Sequence, residues 1–146
     1  MHLAGLTALK ELRLSYGQVT DVGLAHLTEL AALERLYLYD TQVTDAGLAH
    51  LAGLTGLKYL VLNRTAITGP GLAHLAGLPV LETLLLSGTQ VTDAGLAHLT
   101  GLPALRILSV AGTQVTDAGV AELRKRLPRC CRSGRDPIPP PPPPPQ

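Results

Sequence analysis

Residues 33–51 read LERLYLYDTQVTDAGLAHL, and the same pattern returns along most of the chain at intervals of 24 residues. Five repeats begin near Leu6, Leu30, Leu54, Leu78 and Leu102. Within each repeat, seven positions are Leu, Ile or Val without exception. A fixed period of this length is the signature of a solenoid, in which each repeat forms one structural unit and neighbouring units stack.

The first half of each repeat predicts a short strand. In the second repeat, Leu36 and Leu38 alternate with Arg35, Tyr37 and Tyr39. This alternation points the leucines inward and the other side chains outward. The strands are expected to centre on Tyr37 and its equivalents Val61, Leu85 and Ser109. One strand cannot bury its apolar side alone, so stacked neighbours must supply the other wall.

The second half of each repeat predicts a helix. Thr20 is expected to act as the N-cap by accepting hydrogen bonds from free amides, and Asp21 suits the positive end of the helix dipole. In the third repeat Gly69 and Pro70 take the place of the Asp and its neighbour. Proline costs little in a first helical turn, so a helix is expected there too.

The pattern L-x-x-L-x-x-L-x-L-x-x-T-x-V-T-D-x-G-L-x-x-L resembles the leucine-rich-repeat family over residues 1 to about 131. This resemblance implies an α/β fold, a right-handed horseshoe with a parallel concave sheet and short convex helices. The repeat sequence is similar to the repeats of arrays from environmental bacteria such as planctomycetes, and to those of ribonuclease-inhibitor-like and F-box-type proteins. Many members carry Asn or Cys where this chain has Thr41 and its equivalents. Gly17 replaces Thr in the first repeat, so a side-chain ladder is expected to be weaker there.

Outward positions of the first three repeats carry all four tyrosines of the chain and several arginines. Tyr and Arg are enriched in binding hot spots, so these repeats are predicted to bind a protein partner. The predicted contact residues are Arg13, Tyr16, Arg35, Tyr37, Tyr39, Tyr59, Asn63 and Arg64. The last two repeats offer less, with Leu85 and Ser87 among their outward residues. The alternative is that a sheet simply favours Tyr at exposed positions.

Catalysis and metal binding are not expected. All five histidines occupy one repeat position on the helical side, with no Cys or carboxylate at a fixed offset, which is typical of a surface residue and not of a metal site. Ser15, Ser87 and Ser109 lie on outward strand positions, across the core from every His, so no serine nucleophile meets a base. No cofactor is predicted.

Charges at the fourth repeat position alternate in sign, in the order Lys10, Glu34, Lys58, Glu82 and Arg106. Opposite charges on neighbouring strands contribute about 0.2 to 1 kcal/mol each and disfavour a slip of one coil. We interpret these residues as structural, and as needing no ligand.

Composition excludes several other classes. Residues 1–123 carry six Lys or Arg and ten Asp or Glu, a net charge of −4, whereas residues 124–146 carry six and one, a net charge of +5. An acidic body argues against nucleic-acid binding. No apolar stretch approaches the ~18 residues of a membrane helix, and no signal peptide is visible. The only two cysteines, Cys130 and Cys131, are adjacent, which favours a reducing, cytoplasmic location.

The two ends raise further expectations. The chain begins inside a coil, so we expect an uncapped edge with possible self-association, or a fragment of a longer array without an independent role. A substrate-recognition role in an F-box-type ubiquitin ligase is another alternative, although no F-box-like segment is visible. Residues 132–146 are predicted to be a disordered proline-rich tail, extended as polyproline II and acting as a spacer. The basic-residue-plus-PxxP pattern of SH3 ligands does not fit them.

Overall fold

The structure is a computed structural model that describes residues 8–14, 18–127 and 130. Five three-residue strands form one parallel sheet. They are β1 (Glu11–Arg13), β2 (Arg35–Tyr37), β3 (Tyr59–Val61), β4 (Thr83–Leu85) and β5 (Ile107–Ser109). Their spatial order is their order in the sequence, and Leu12 pairs with Leu36, one repeat later. The sheet is therefore open and belongs to a solenoid, as the repeat predicts.

Each coil returns through a short helical segment. The α-helices are α1 (Asp21–Leu24), α2 (Asp45–Leu48), α3 (Asp93–Leu96) and α4 (Asp117–Arg126). The first three continue as 3₁₀ helices over Ala25–Leu27, Ala49–Leu51 and Ala97–Gly101, and the third coil has only a 3₁₀ helix, Pro70–Leu75. The predicted helices are thus present, but most are a single turn. The expected partial first coil and the disordered tail lie outside the described residues.

The core is a continuous stack of leucines between the sheet and the helices. Leu36 and Leu38 of β2 and its exit are fully buried, and burial of a leucine contributes about 1.5 to 3 kcal/mol. Leu12 and Leu14 are only half-buried. Leu12 belongs to β1 and Leu14 follows it directly, and among the described residues β1 has a neighbouring strand on one side only. Stability therefore depends on stacking between coils.

Neighbouring coils are joined by a side-chain ladder that the sequence did not predict. The amide of Thr44 donates to Asp21 Oδ1 at 2.7 Å, and its hydroxyl donates to Asp21 Oδ2. The same bonds join Thr68 to Asp45, and Thr116 to Asp93. Each carboxylate thus reaches across to the next coil.

The predicted capping by threonine is wrong for most coils. Thr20, Thr44 and Thr92 stand at the N-cap positions, but their side chains make no capping hydrogen bond. Thr116 is the exception, since its hydroxyl accepts from the amide of Gly119 at 3.2 Å. In the coils of Thr44 and Thr68, the hydroxyl donates to the aspartate of the preceding coil instead.

The threonines at the position of the expected side-chain ladder form hydrogen bonds within their own coil. The hydroxyl of Thr41 donates to the carbonyl of Leu38, three residues earlier, at 2.8 Å. The same bond recurs at Thr65, Thr89 and Thr113. These hydroxyls close the turn that follows each strand, and the weaker ladder expected at Gly17 lies outside the described residues.

The glycine of the Thr-Asp-x-Gly motif makes room for the preceding coil. A Cβ built on Gly71 would lie 2.6 Å from the Cα of Asp45. A Cβ on Gly47 would meet the carboxylate of Asp21. Gly23, by contrast, faces Val19 Cγ1 at 3.5 Å and no nearer atom of the described residues. The glycines therefore let the aspartate of one coil pack against the backbone of the next.

The alternating charges form one ion pair among the described residues. Lys58 Nζ lies 3.4 Å from Glu34 Oε1, on an exposed part of the surface. Exposed pairs of this kind contribute about 0 to 1 kcal/mol. The alternation thus adds little to the stacking of the core.

Candidate protein-binding surface

Outward side chains of the sheet form a second apolar cluster, separate from the leucine core. Tyr37, Val61 and Leu85 are each only 4% exposed. Tyr39, Tyr59 and Ile107 pack against them. We call these six residues the concave strip. It crosses β2 to β5, so the last two repeats contribute more to this face than their sequence suggested.

Tyr37 lies on β2, the first strand of the strip. The guanidinium of Arg13 sits 4.5 Å from the centroid of its ring, and the ring of Tyr59 lies 5.5 Å away at an interplanar angle of 40°. The Tyr37 hydroxyl is buried and makes no hydrogen bond within the described part of the chain. A buried donor without a partner costs about 1 to 3 kcal/mol, so this hydroxyl is the least satisfied polar group of the face.

Burial raises the pKa of Tyr37, and the nearby carboxylate of Glu11 raises this pKa further. The charges of Arg13 and Arg35 act in the opposite direction. Burial also raises the pKa of Tyr59, again opposed by Arg35. Both phenols are therefore held in the neutral form, in which each hydroxyl can donate a hydrogen bond.

Two arginines flank Tyr37 and Tyr59, and they differ in whether a carboxylate pairs with the guanidinium. Arg13 is held by Glu11, with Nη2 and Nε at 2.7 and 2.8 Å from Glu11 Oε1. Arg35 is exposed, and no ion pair or hydrogen bond joins its side chain to any residue that the structure describes. Arg35 is therefore the more available cation for a ligand.

The remaining predicted contact residues lie at the ends of the strands. Asn63 Oδ1 accepts from the amide of Ser87 at 2.7 Å, so this side chain already joins two coils. Arg64 has a positive φ of 61°, and its guanidinium lies 6.0 Å from the ring centroid of Tyr39. Tyr16 lies outside the described residues. The structure thus brings together the predicted tyrosines and arginines, but assigns Asn63 a structural bond.

Histidines and serines lie on opposite sides of the core, as the repeat pattern predicts. His26, His50, His74 and His98 all belong to the 3₁₀ helices. Ser87 and Ser109 share a hydrogen bond between their hydroxyls on the sheet side. Over residues 8–14, 18–127 and 130, the structure shows no cluster of three or more side chains suited to a metal ion. Cys130, buried against the last coil, is disulfide-bonded.

Comparison with known proteins agrees with this architecture. The sequence profile of the family described as "Leucine Rich repeat" matches residues 5–27. The crystal structure of internalin C2 from Listeria monocytogenes superposes with a TM-score of 0.65 at 34% identity, covering 82% of this chain. The chain belongs to the leucine-rich-repeat family. A leucine-rich-repeat protein of Leptospira interrogans has a TM-score of 0.67 over 86% of this chain, at 21% identity, and shows the shared fold alone.

This leucine-rich-repeat chain spans only part of the solved proteins that it matches. It covers 50% of the internalin C2 chain and 37% of the Leptospira chain. The search of curated proteins returned no match. Within the part of the chain that the structure describes, no helix is both long and apolar enough to cross a bilayer.

Proposed function

We propose that this chain is a protein-interaction scaffold that binds its partner through the N-terminal half of the concave strip. The observation that carries the proposal is the Tyr37 hydroxyl, a buried donor without a hydrogen-bond partner among the described residues. Half-exposed Tyr39 and Tyr59 and the exposed Arg35 surround it. Tyr and Arg combine large contact area with polar tips, and dominate binding hot spots.

The size of the face favours an extended segment of the partner over a folded domain. Parallel strands lie ~4.8 Å apart, so five of them span roughly 19 Å. A stable interface between folded proteins typically buries ~800 Å² on each side. A peptide laid across the strands needs less area, and the affinity of this chain alone is expected to be modest.

The burial of Tyr37 decides which variants can test the proposal. Tyr37 is almost fully buried, and truncation of a buried aromatic side chain costs about 3 to 5 kcal/mol. Tyr37→Ala would therefore disturb the fold together with the face. Arg35→Ala with Tyr59→Ala removes an exposed and a half-buried side chain, and leaves the leucine core intact.

A phage-displayed library of random peptides provides the probe. Peptides selected on the unmodified chain should bind the Arg35→Ala, Tyr59→Ala variant at least ~30-fold more weakly, which is the loss of one hot spot. Val22→Ser is the matched control, because Val22 is 74% exposed on the opposite, helical side. Selected peptides that bind the double variant as well as the parent, or that lose affinity with Val22→Ser, would place binding elsewhere.

The finer alternatives have less support. Among the described elements, none favours an F-box-type ubiquitin ligase subunit. The cytoplasmic location remains a prediction from the sequence.

A further inference from the structure

Two polar groups on the N-terminal half of the concave strip, the Tyr37 hydroxyl and the Arg35 guanidinium, lack a partner among the described residues. Within residues 8–14, 18–127 and 130, the Tyr37 hydroxyl has no acceptor, and the exposed guanidinium of Arg35 has no ion pair. Burial keeps the neighbouring phenols protonated. A ligand that suits this face therefore offers carbonyl oxygens and apolar rings, and carries few N–H groups of its own.

The chain contains one segment with this chemistry. Residues 137–145 are all proline except Ile138, so the run has nine carbonyls and a single backbone N–H. A proline run favours the polyproline II conformation, which is extended and leaves its carbonyls free. Aromatic-lined grooves recognise such segments by packing rings against prolines and donating hydrogen bonds to carbonyls.

The spacing of polyproline II matches the spacing of the sheet. Its turn of three residues rises about 9.3 Å, and two strand intervals of a parallel sheet measure about 9.6 Å. A proline run laid across the strands would present one face to every second strand. Tyr37 and Leu85 stand two strands apart, on β2 and β4, in the same row of the strip.

The chain between Cys130 and the run is longer than the strip is wide. Cys130 is buried against the last coil and its amide donates to the carbonyl of Leu127 at 2.9 Å, so the tail leaves from this end of the solenoid. Three strand intervals, roughly 14 Å, separate β5 from β2. The six residues 131–136 reach up to ~20 Å when extended. The basic segment 124–136 would follow a body of net charge −4, which attracts it.

We propose that the concave strip binds residues 137–145 of this same chain as a polyproline II segment, and that Tyr37 then turns its buried hydroxyl outward to a proline carbonyl, its missing acceptor. This inference rests on the proposed function, because it assigns the same face an intramolecular ligand. An external partner then binds by displacing the run, so that the tail acts as a built-in competitor.

Tyrosine fluorescence tests the proposal in the full chain. The sequence has four tyrosines and no tryptophan, and the three that the structure describes belong to the strip. The test variant carries Pro140→Gly, Pro142→Gly and Pro144→Gly, and the control carries Arg132→Ser and Arg135→Ser. Quenching of tyrosine emission by acrylamide should increase in the proline variant only. A synthetic peptide of residues 137–146 should restore protection to that variant in a saturable manner, and Tyr37→Phe in the same background should weaken its binding.

Two further measurements separate the possible outcomes. A tethered segment has an effective concentration near ~1 mM, so an intrinsic dissociation constant of ~100 μM would cover the strip about 90% of the time and weaken external peptides ~10-fold. The phage-selected peptides should therefore bind the proline variant ~10-fold more tightly. Equal quenching in parent and proline variant, with no binding of the synthetic peptide, overturns the proposal. Protection that rises with protein concentration also overturns it, because a second copy would then supply the run. If the selected peptides still map to the strip in either case, the proposed function stands without its intramolecular ligand.

Discussion

The carboxylate of Asp21 accepts hydrogen bonds from both the amide and the hydroxyl of Thr44, which lies 23 residues later and one coil away. This contact fastens neighbouring coils at the start of each helix, where the sheet does not reach. It recurs from Asp45 to Thr68 and from Asp93 to Thr116. It is missing between the third and fourth coils, because Gly69 stands where the aspartate should be. The chain therefore contains its own control for the contact.

Thr44→Val is expected to lower the free energy of unfolding by about 1.5 to 3 kcal/mol, the usual contribution of a hydrogen bond to a charged group. Thr92→Val should change it little, because the Thr92 side chain has no carboxylate opposite and makes no capping bond. Urea unfolding of the two variants and the parent measures both effects. Equal losses in the two variants would show that the methyl-for-hydroxyl exchange itself, and not the aspartate contact, sets the cost.

Gly71→Ala should destabilise the chain by about 1 to 3 kcal/mol, the usual range for overpacking. Its new Cβ would lie 2.6 Å from the Cα of Asp45, so the backbone of one coil must shift. Gly23→Ala is the matched control at the equivalent position of the first coil, where the nearest atom of the described residues is at 3.5 Å. There the substitution should be neutral or stabilise by up to ~1 kcal/mol, since alanine favours helix over glycine. Thermal unfolding followed by circular dichroism should give the lowest melting temperature for Gly71→Ala, a higher one for the parent, and an equal or still higher one for Gly23→Ala.

The solenoid could be predicted because its information is repeated. Leu12 and Leu36 must both point inward, so the register that pairs them follows from the pattern alone. The Asp21–Thr44 contact could not be predicted in this way. Thr and Asp are adjacent in the sequence, and local capping is their usual role, whereas only the stacking distance between coils brings Asp21 to the next threonine. The glycine two residues after each aspartate was the available signal, because it marks a close approach of backbone.

The sequence predicted which tyrosines and arginines form the candidate site, but it did not predict how far each side chain is exposed. Tyr37 stands in the middle row of the sheet, where side chains of both neighbouring strands and of the two outer rows cover it. An alternation of inward and outward residues does not distinguish this row from its exposed neighbours. Leu85 and Ile107 were not predicted to contribute to the binding face, because a single outward apolar residue carries no binding signal in the sequence. They join the strip only when the strands are stacked.

Restoring the missing aspartate should stabilise the chain. Gly69→Asp together with Pro70→Ala recreates the motif of the second coil and places a carboxylate beside Thr92. We expect a gain of about 1 to 2 kcal/mol in the free energy of unfolding, less than a full charged hydrogen bond because the backbone must rearrange. Gly69 has a φ of 137°, which side-chain-bearing residues rarely adopt, so Gly69→Asp alone should be worse than the pair. Adding Thr92→Val should cancel the gain, and a gain that persists would refute the contact.

Alkaline conditions should destabilise the chain through its two perturbed phenols. Burial holds the pKa of Tyr37 and Tyr59 above the ordinary value of about 10. The folded chain therefore binds more protons than the unfolded chain above that pH, and the free energy of unfolding falls as the pH rises from about 10 through the folded-state pKa. The stabilisation is fully present below pH ~10. Urea unfolding across this range should show a shallower decline in the Tyr37→Phe, Tyr59→Phe variant, and an identical decline would contradict the assignment.

Arg64→Gly is expected to separate stability from binding. Position 64 has a φ of 61° and the preceding equivalent, Asp40, a φ of 55°, whereas the next two coils carry Gly88 and Gly112 at this position. Left-handed backbone costs a residue with a side chain about 1 to 2 kcal/mol, so Arg64→Gly and Asp40→Gly should each raise the free energy of unfolding. Only Arg64→Gly should also weaken the phage-selected peptides, because it removes the guanidinium 6.0 Å from the Tyr39 ring. Strain retained at a residue that binds is a known feature of functional sites. If both glycine variants bind the peptides like the parent, Arg64 is not part of the binding face.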